Sequence, residues 1–190
     1  MAMLTRSLFV LAAAAIPAFA QNQKPAAPAA AKSSSGSTGV NNARMLWSPT
    51  RDYIAQAAAD VPEAMYSYRP TPEVRTFGEL IGHVAGSQHM FCAIALGEKP
   101  TAEDDVEKAA KTKAALVQAL KVSNDHCDRA YKQTDAATAG MTDLFGEQRS
   151  RLYVLLENAS HDSEHYGNIV TYMRMNKMVP PSSRPRPSGD

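Results

Sequence analysis

From about residue 41 onward, apolar residues recur at a spacing of three to four, the period of an amphipathic helix. Leu46, Tyr53, Ile54, Ala57, Ala58 and Val61 carry the first run, which stops at Pro62. Pro49 lies inside it, so either the proline kinks the helix or Ser48 caps it and Pro49 is its first helical position. Trp47 reads as a core anchor. An extended connection follows over 66–75, where Pro70 and Pro72 oppose regular helix. A second helix is predicted over 77–96, with Leu80, His83, Val84, Ser87, Phe91 and Ile94 along one side. Gly97 and Pro100 close it in the expected order. A third helix starts at Ala102 or Glu107 and runs to Tyr131, turning Leu116, Val117, Leu120, Asn124 and Cys127 inward. The span 133–145 is rich in Thr, Asp, Ala and Gly and reads as a loop. A fourth helix, from Gly146 or Glu147 to Met178, is apolar around much of its surface (Leu152, Val154, Leu155, Leu156, Ile169, Val170), which calls for burial against several neighbours. No alternating strand pattern is present. The fold expected is all-α, a four-helix bundle over 41–179.

The chain ends carry a different pattern. One positive charge at Arg6, an apolar stretch from Leu8 to Ile16 and the small-x-small run Ala18-Phe19-Ala20 make residues 1–20 a Sec-type signal peptide. The apolar stretch is too short to span a bilayer, and no cysteine follows the cleavage site to take a lipid. Export to the periplasm or the medium is therefore expected, with no stable membrane anchor after cleavage. Residues 21–40, rich in Ala, Pro and Ser, have almost nothing to bury and read as a disordered linker. Residues 180–190 read as a disordered tail.

Charge narrows the partners. The chain holds 20 Lys+Arg and 19 Asp+Glu, and losing Arg6 with the signal leaves the two signs equal. Nucleic acid and anionic membrane surfaces need clustered positive charge, so neither is expected. A small-molecule substrate and a homodimer both remain open. The two cysteines, Cys92 and Cys127, are read either as a disulfide in an exported protein or as two buried thiols.

The chemistry-bearing residues gather near the C-terminus. His161 and His165 are four apart, about 40° around a helix and one turn along it, so both rings can reach one ion. Asp162 and Glu164 flank them, each about 60° from the nearer histidine. Either acid is a candidate proton shuttle, or a group that orients a histidine ring. Asn158, Asn168 and Tyr172 continue near the stripe as candidate lining residues. Two imidazoles on one helix are two-thirds of the protein ligand set of a zinc-type site. Helical phase selects the third: His83 shares the inward side of its helix with Leu80 and Ser87, whereas His89 points outward and His126 sits at a helix margin. A divalent cation on His83, His161 and His165 is the expected cofactor, zinc first, with nickel, iron, manganese or copper as alternatives. His161-Asp-Ser-Glu164-His165 also fits the inverted zinc-protease pattern. That reading fails because the downstream acidic ligand is missing: only Asp190 follows, at the end of a Pro-rich tail.

The run from Tyr68 to His83 (Tyr-Arg-Pro-Thr-Pro-Glu-Val-Arg-Thr-Phe-Gly-Glu-Leu-Ile-Gly-His), with Phe91-Cys92 and His161-Asp-Ser-Glu-His-Tyr-Gly-Asn-Ile-Val-Thr-Tyr172, resembles the DinB-like family over about 41–179. The resemblance implies an up-down-down-up bundle in which one histidine of the second helix and two of the fourth bind a divalent cation. Those positions are His83, His161 and His165. It also implies that the second and third helices run parallel, which would set Cys92 and Cys127 at one level. Some members of the family are isomerases or transferases that depend on mycothiol or bacillithiol. Two functions follow as expectations. One is an exported metal-dependent hydrolase or thiol/group transferase; the other is a non-catalytic binding or stress protein whose cation stabilises the bundle.

Overall fold

The computed structural model describes residues 38–185. The expected signal peptide, most of the linker and the last five residues of the tail lie outside that range. Four long helices form the bundle: α1 (Thr38–Asp60), α2 (Phe77–Leu96), α4 (Lys113–Ala130) and α6 (Arg151–Met175). Two short helices, α3 (Asp105–Ala109) and α5 (Asp135–Thr138), lie in the connections. An antiparallel hairpin of β1 (Met141–Leu144) and β2 (Glu147–Ser150) leads into α6.

Local chemistry sets most helix ends. Thr76 and Glu79 close a capping box at the start of α2, and Gly97, in the left-handed region at φ 76°, ends it. Thr112 caps α4, and Ser150 caps α6. The start of α1 is different. Its cap comes from Asp135 on α5, whose carboxylate accepts from the N–H groups of Gly39 and Val40 at 3.0 and 2.9 Å. Those contacts hold the helix from Thr38, so Val40 is core rather than the last residue of a linker. The helix also runs through Pro49 without restarting at Ser48.

Cross-helix contacts fix the course. Gln88 with Ser123, and Cys92 with Cys127, advance together, so α2 and α4 are parallel. Trp47 with Asp162, and Tyr53 with Tyr166, make α1 and α6 parallel. Arg75 with Tyr172, and His83 with His161, run in opposite directions, so α2 and α6 are antiparallel. The result is the up-down-down-up bundle expected.

Several boundaries differ from expectation: among them, α6 ends at Met175, short of Met178, and Pro181–Ser183, expected in a disordered tail, form a 3-10 turn with Pro181 buried and Ser182 bonded to the Tyr166 hydroxyl. The third helix is broken into α3 and α4, because Thr112 caps a new start instead of continuing the old one. The loop expected over 133–145 contains α5 and β1, and the fourth helix starts at Arg151 because residues 147–150 are extended. Strands of four residues are too short for alternation to be visible, and this hairpin is instead set by its turn. Phe145 and Gly146 both have positive φ, 55° and 85°, as a two-residue turn between twisted strands requires. The open alternative for the cysteines is also decided: Cys92 and Cys127 are joined, and both are fully buried between α2 and α4.

The core is two apolar clusters with a polar layer between them. One gathers Ile54, Val61, Phe77, Leu80, Leu116, Ile169 and Met173; the other Val40, Trp47, Phe91, Tyr131, Val154 and Leu155. In the layer, the Trp47 indole N–H donates to Gln88 Oε1 at 2.9 Å and to Asp162 Oδ2 at 3.1 Å. Gln88 Nε2 then donates to Ser123 Oγ at 3.0 Å and Asn124 Oδ1 at 2.7 Å. One connected set of bonds thus ties α1, α2, α4 and α6 together.

Trp47→Phe keeps most of the buried ring but removes the shared donor. A loss of about 1–3 kcal/mol for each acceptor left without a partner is expected in urea unfolding, and an unchanged midpoint would show the layer to be dispensable. Reduction of the Cys92–Cys127 bond, which closes a separation of 35 residues, should lower stability by about 4 kcal/mol, read as a fall in Tm with dithiothreitol.

Candidate metal centre

The three histidines selected by helical phase meet in the polar layer. His161 and His165 sit one turn apart on α6 with their rings edge to face, and the antiparallel α2 brings His83 across to them. His83 Nε2 lies 3.2 Å from His161 Nε2, and His165 Nε2 lies 3.1 Å from the same atom. His83 and His165 are buried and His161 is half-buried. Among the described residues these are the three whose ligand atoms converge as a metal site requires.

Electrostatics keeps the rings neutral. Burial, then Arg75 and His165, push the His83 imidazole down to about 4. Burial, then His165, His83 and Arg75, push His161 down to about 3. Burial also lowers His165, against the opposing charge of Glu164. Neutral imidazoles are the form that binds metal.

The spacing suits a cation better than a hydrogen-bond chain. A neutral ring nitrogen either donates one hydrogen or accepts through one lone pair. His161 Nε2 can at most share its one hydrogen or lone pair between the two nitrogens that face it at such distances, whereas a cation would engage all three lone pairs at once. Around a tetrahedral ion with Zn–N near 2.0–2.1 Å, ligand nitrogens fall about 3.3 Å apart. The donor set fits a divalent ion.

Other candidate residues divide into two groups. Asp162 is fully buried against Trp47, and burial holds its carboxyl well above the usual carboxylate range. It faces the core between helices, not the surface. Asn158 is likewise inside, donating to the Tyr131 hydroxyl at 3.1 Å. Glu164 is exposed, and its charge acts on His165. Asn168 and Tyr172 line an open cleft of about 660 Å³ that His165 also borders. Asn168 Nδ2 lies 3.4 Å from His165 Nδ1.

The remaining two histidines are off the site. His126 is buried, with Nε2 2.7 Å from Glu98, and His89 is half-buried against its ring rather than outward in solvent. Packing of α2 on α4 covers both.

Two neighbours, Arg75 and Glu107, carry no signal in the sequence, while Phe91 lies on the His83 side of α2 as expected. Arg75 and Glu107 line the same cleft, and Glu107 Oε2 lies 3.9 Å from His83 Nδ1. Phe91 sets its ring 5.6 Å from that of His161. Glu107 comes close because α3 lies on Gly82, where an added Cβ would meet the Glu107 backbone at 2.8 Å. No local period marks Arg75 or Glu107, since each acts from a connection between long helices.

The pH response follows from the depressed histidines. With folded values below the ordinary 6.5, the unfolded chain binds more protons as pH falls, so stability is lost from about pH 6.5 toward about 4. In the presence of chelator, thermal unfolding between pH 7.5 and 4.5 should show a steeper loss for wild type than for His83→Gln/His161→Gln. Equal slopes would contradict it.

Comparison with known proteins agrees with the fold. The family model for the DinB superfamily matches residues 46–169. A DinB-like protein from Bacillus subtilis has a similar structure at 20% identity and TM-score 0.62, covering 77% of this chain and 100% of that one. A DinB-like protein from Bacillus cereus gives 16% and 0.64, with 74% and 95% covered. The mycothiol-dependent maleylpyruvate isomerase gives 18% and 0.55, with 69% of this chain and 59% of that one covered. A search of curated protein sequences finds no match. With the family model spanning more than half of its length, the chain belongs to the DinB superfamily.

Proposed function

We propose that this protein is an exported metal-dependent enzyme, a hydrolase or a thiol/group transferase, with a divalent ion held by His83, His161 and His165. The observation that carries the reading is the convergence of three neutral imidazole nitrogens at 3.1–3.2 Å beside an open cleft. The cleft is what favours an enzyme over a bundle that merely uses a cation for stability. Zinc is the first choice, since three histidines with a further position free is a common zinc set.

When bound, such an ion supplies Lewis acidity, lowering the pKa of a water or polarising a substrate oxygen or sulfur. The protein's own groups do the rest. Glu164, exposed beside His165, carries protons between the site and solvent. Asp162 anchors the His161 turn to Trp47 and acts by positioning. Phe91 screens one side of His161 from water. Support for export comes from the signal-like first twenty residues together with the buried disulfide, which persists in oxidising compartments.

Metal analysis is the first test. Purified protein should hold about one divalent ion per chain, and His161→Ala should lose more than about a hundredfold in affinity, beyond the effect of removing a supporting residue. Unchanged metal content in that variant would overturn the assignment. Hydrolase and thiol-transfer screens should then give an activity that is abolished by chelation and restored by metal; a chelation-sensitive Tm with no activity would support the stabilising role instead.

A further inference from the structure

Arg75 sits in the extended connection ahead of α2 and lines the cleft that His165 borders. Its position is held twice. Nε donates to Glu107 Oε2 at 3.1 Å, and the Tyr172 hydroxyl donates to the Arg75 carbonyl at 2.6 Å. The two terminal guanidinium nitrogens have no acceptor among the described residues, and the side chain is 42% exposed. Glu107 Oε2, which holds Arg75, also lies 3.9 Å from His83 Nδ1, and His165 lines the same cleft, so the guanidinium and two of the ligand rings face one space. Two carboxylates share the cleft, but each is engaged: Glu107 with Arg75, and Glu73 with Thr71.

We propose that the cleft selects a small carboxylate substrate, its carboxylate paired with the terminal nitrogens of Arg75 while a second group reaches the ion on His83, His161 and His165. The planar guanidinium fork matches a carboxylate through two parallel bonds. A cleft of about 660 Å³ is in the range that encloses a small molecule. Arg75 is thus a specificity residue, and Glu107 and Tyr172 set its direction. The inference rests on the metal reading above.

The test uses the full chain loaded with cobalt(II), whose visible spectrum reports ligands entering its coordination sphere. Malonate, succinate and glutarate are titrated as two-ended carboxylates, with imidazole as an uncharged probe that needs the metal alone. The best dicarboxylate should bind about ten- to a hundredfold more weakly to Arg75→Gln, the loss expected for a charged hydrogen-bonded pair, and Arg75→Lys should recover part of it. Imidazole should bind all three proteins equally. Dicarboxylate affinities within twofold of wild type in Arg75→Gln would overturn the carboxylate assignment while leaving the metal site intact. Failure of cobalt to bind wild type would overturn both.

Discussion

The indole N–H of Trp47 is the constraint on which the rest of this structure depends. It is one donor shared by two acceptors, Gln88 on α2 and Asp162 on α6, in the middle of the bundle. Each acceptor is coupled to the site: Asp162 follows His161 directly, and Gln88 lies little more than one turn beyond His83. Sliding either helix by a turn would orphan a buried polar group, at a cost of about 1–3 kcal/mol. The same ring stacks on Tyr131 at 4.3 Å, and Arg51 lies 4.7 Å above it while pairing with Asp128 of α4. Register among the four helices, and hence the distance between histidines, is thereby specified by polar satisfaction as well as by apolar packing.

Given that register, the site is an electrostatic compromise. Three imidazoles are taken out of water, kept uncharged by burial and by Arg75, and set with their Nε2 atoms facing each other. Without a cation, such lone pairs have little to gain from one another. With one, the convergence becomes favourable, and metal binding becomes part of folding stability. The three-helix surroundings differ by side: Phe91 and the core close one face, while the 70–75 connection and the α6 surface leave an open cleft on the other.

How much of this was legible in the sequence depends on the range of the cause. Helix α2 is legible to its ends because Thr76, Glu79 and Gly97 are local signals. Phase on a helix is a local property too, and it separates His83 from His89 and His126. Helix α1 began earlier than its own pattern suggested because its cap is supplied by Asp135, on α5, some ninety-five residues away. The hairpin was invisible because its strands are short and set by the Phe145-Gly146 turn. Arg75 and Glu107 reach the cleft only through tertiary packing, with Gly82 permitting the approach of α3. Asp162 reads from the sequence as an acid flanking the histidine pair, but an apolar helix buried on several sides turns it into the core.

The fold shared with DinB-like proteins shows the architecture, and the convergence of His83, His161 and His165 shows what that architecture brings together. X-ray absorption of the zinc-loaded protein tests that convergence most directly. Three imidazole nitrogens at about 2.0–2.1 Å, with the outer-shell scattering of their rings reduced by one ring in His83→Ala, are the expected result. A coordination shell of carboxylate or water oxygens without imidazole scattering, or one unchanged in that variant, would contradict the site.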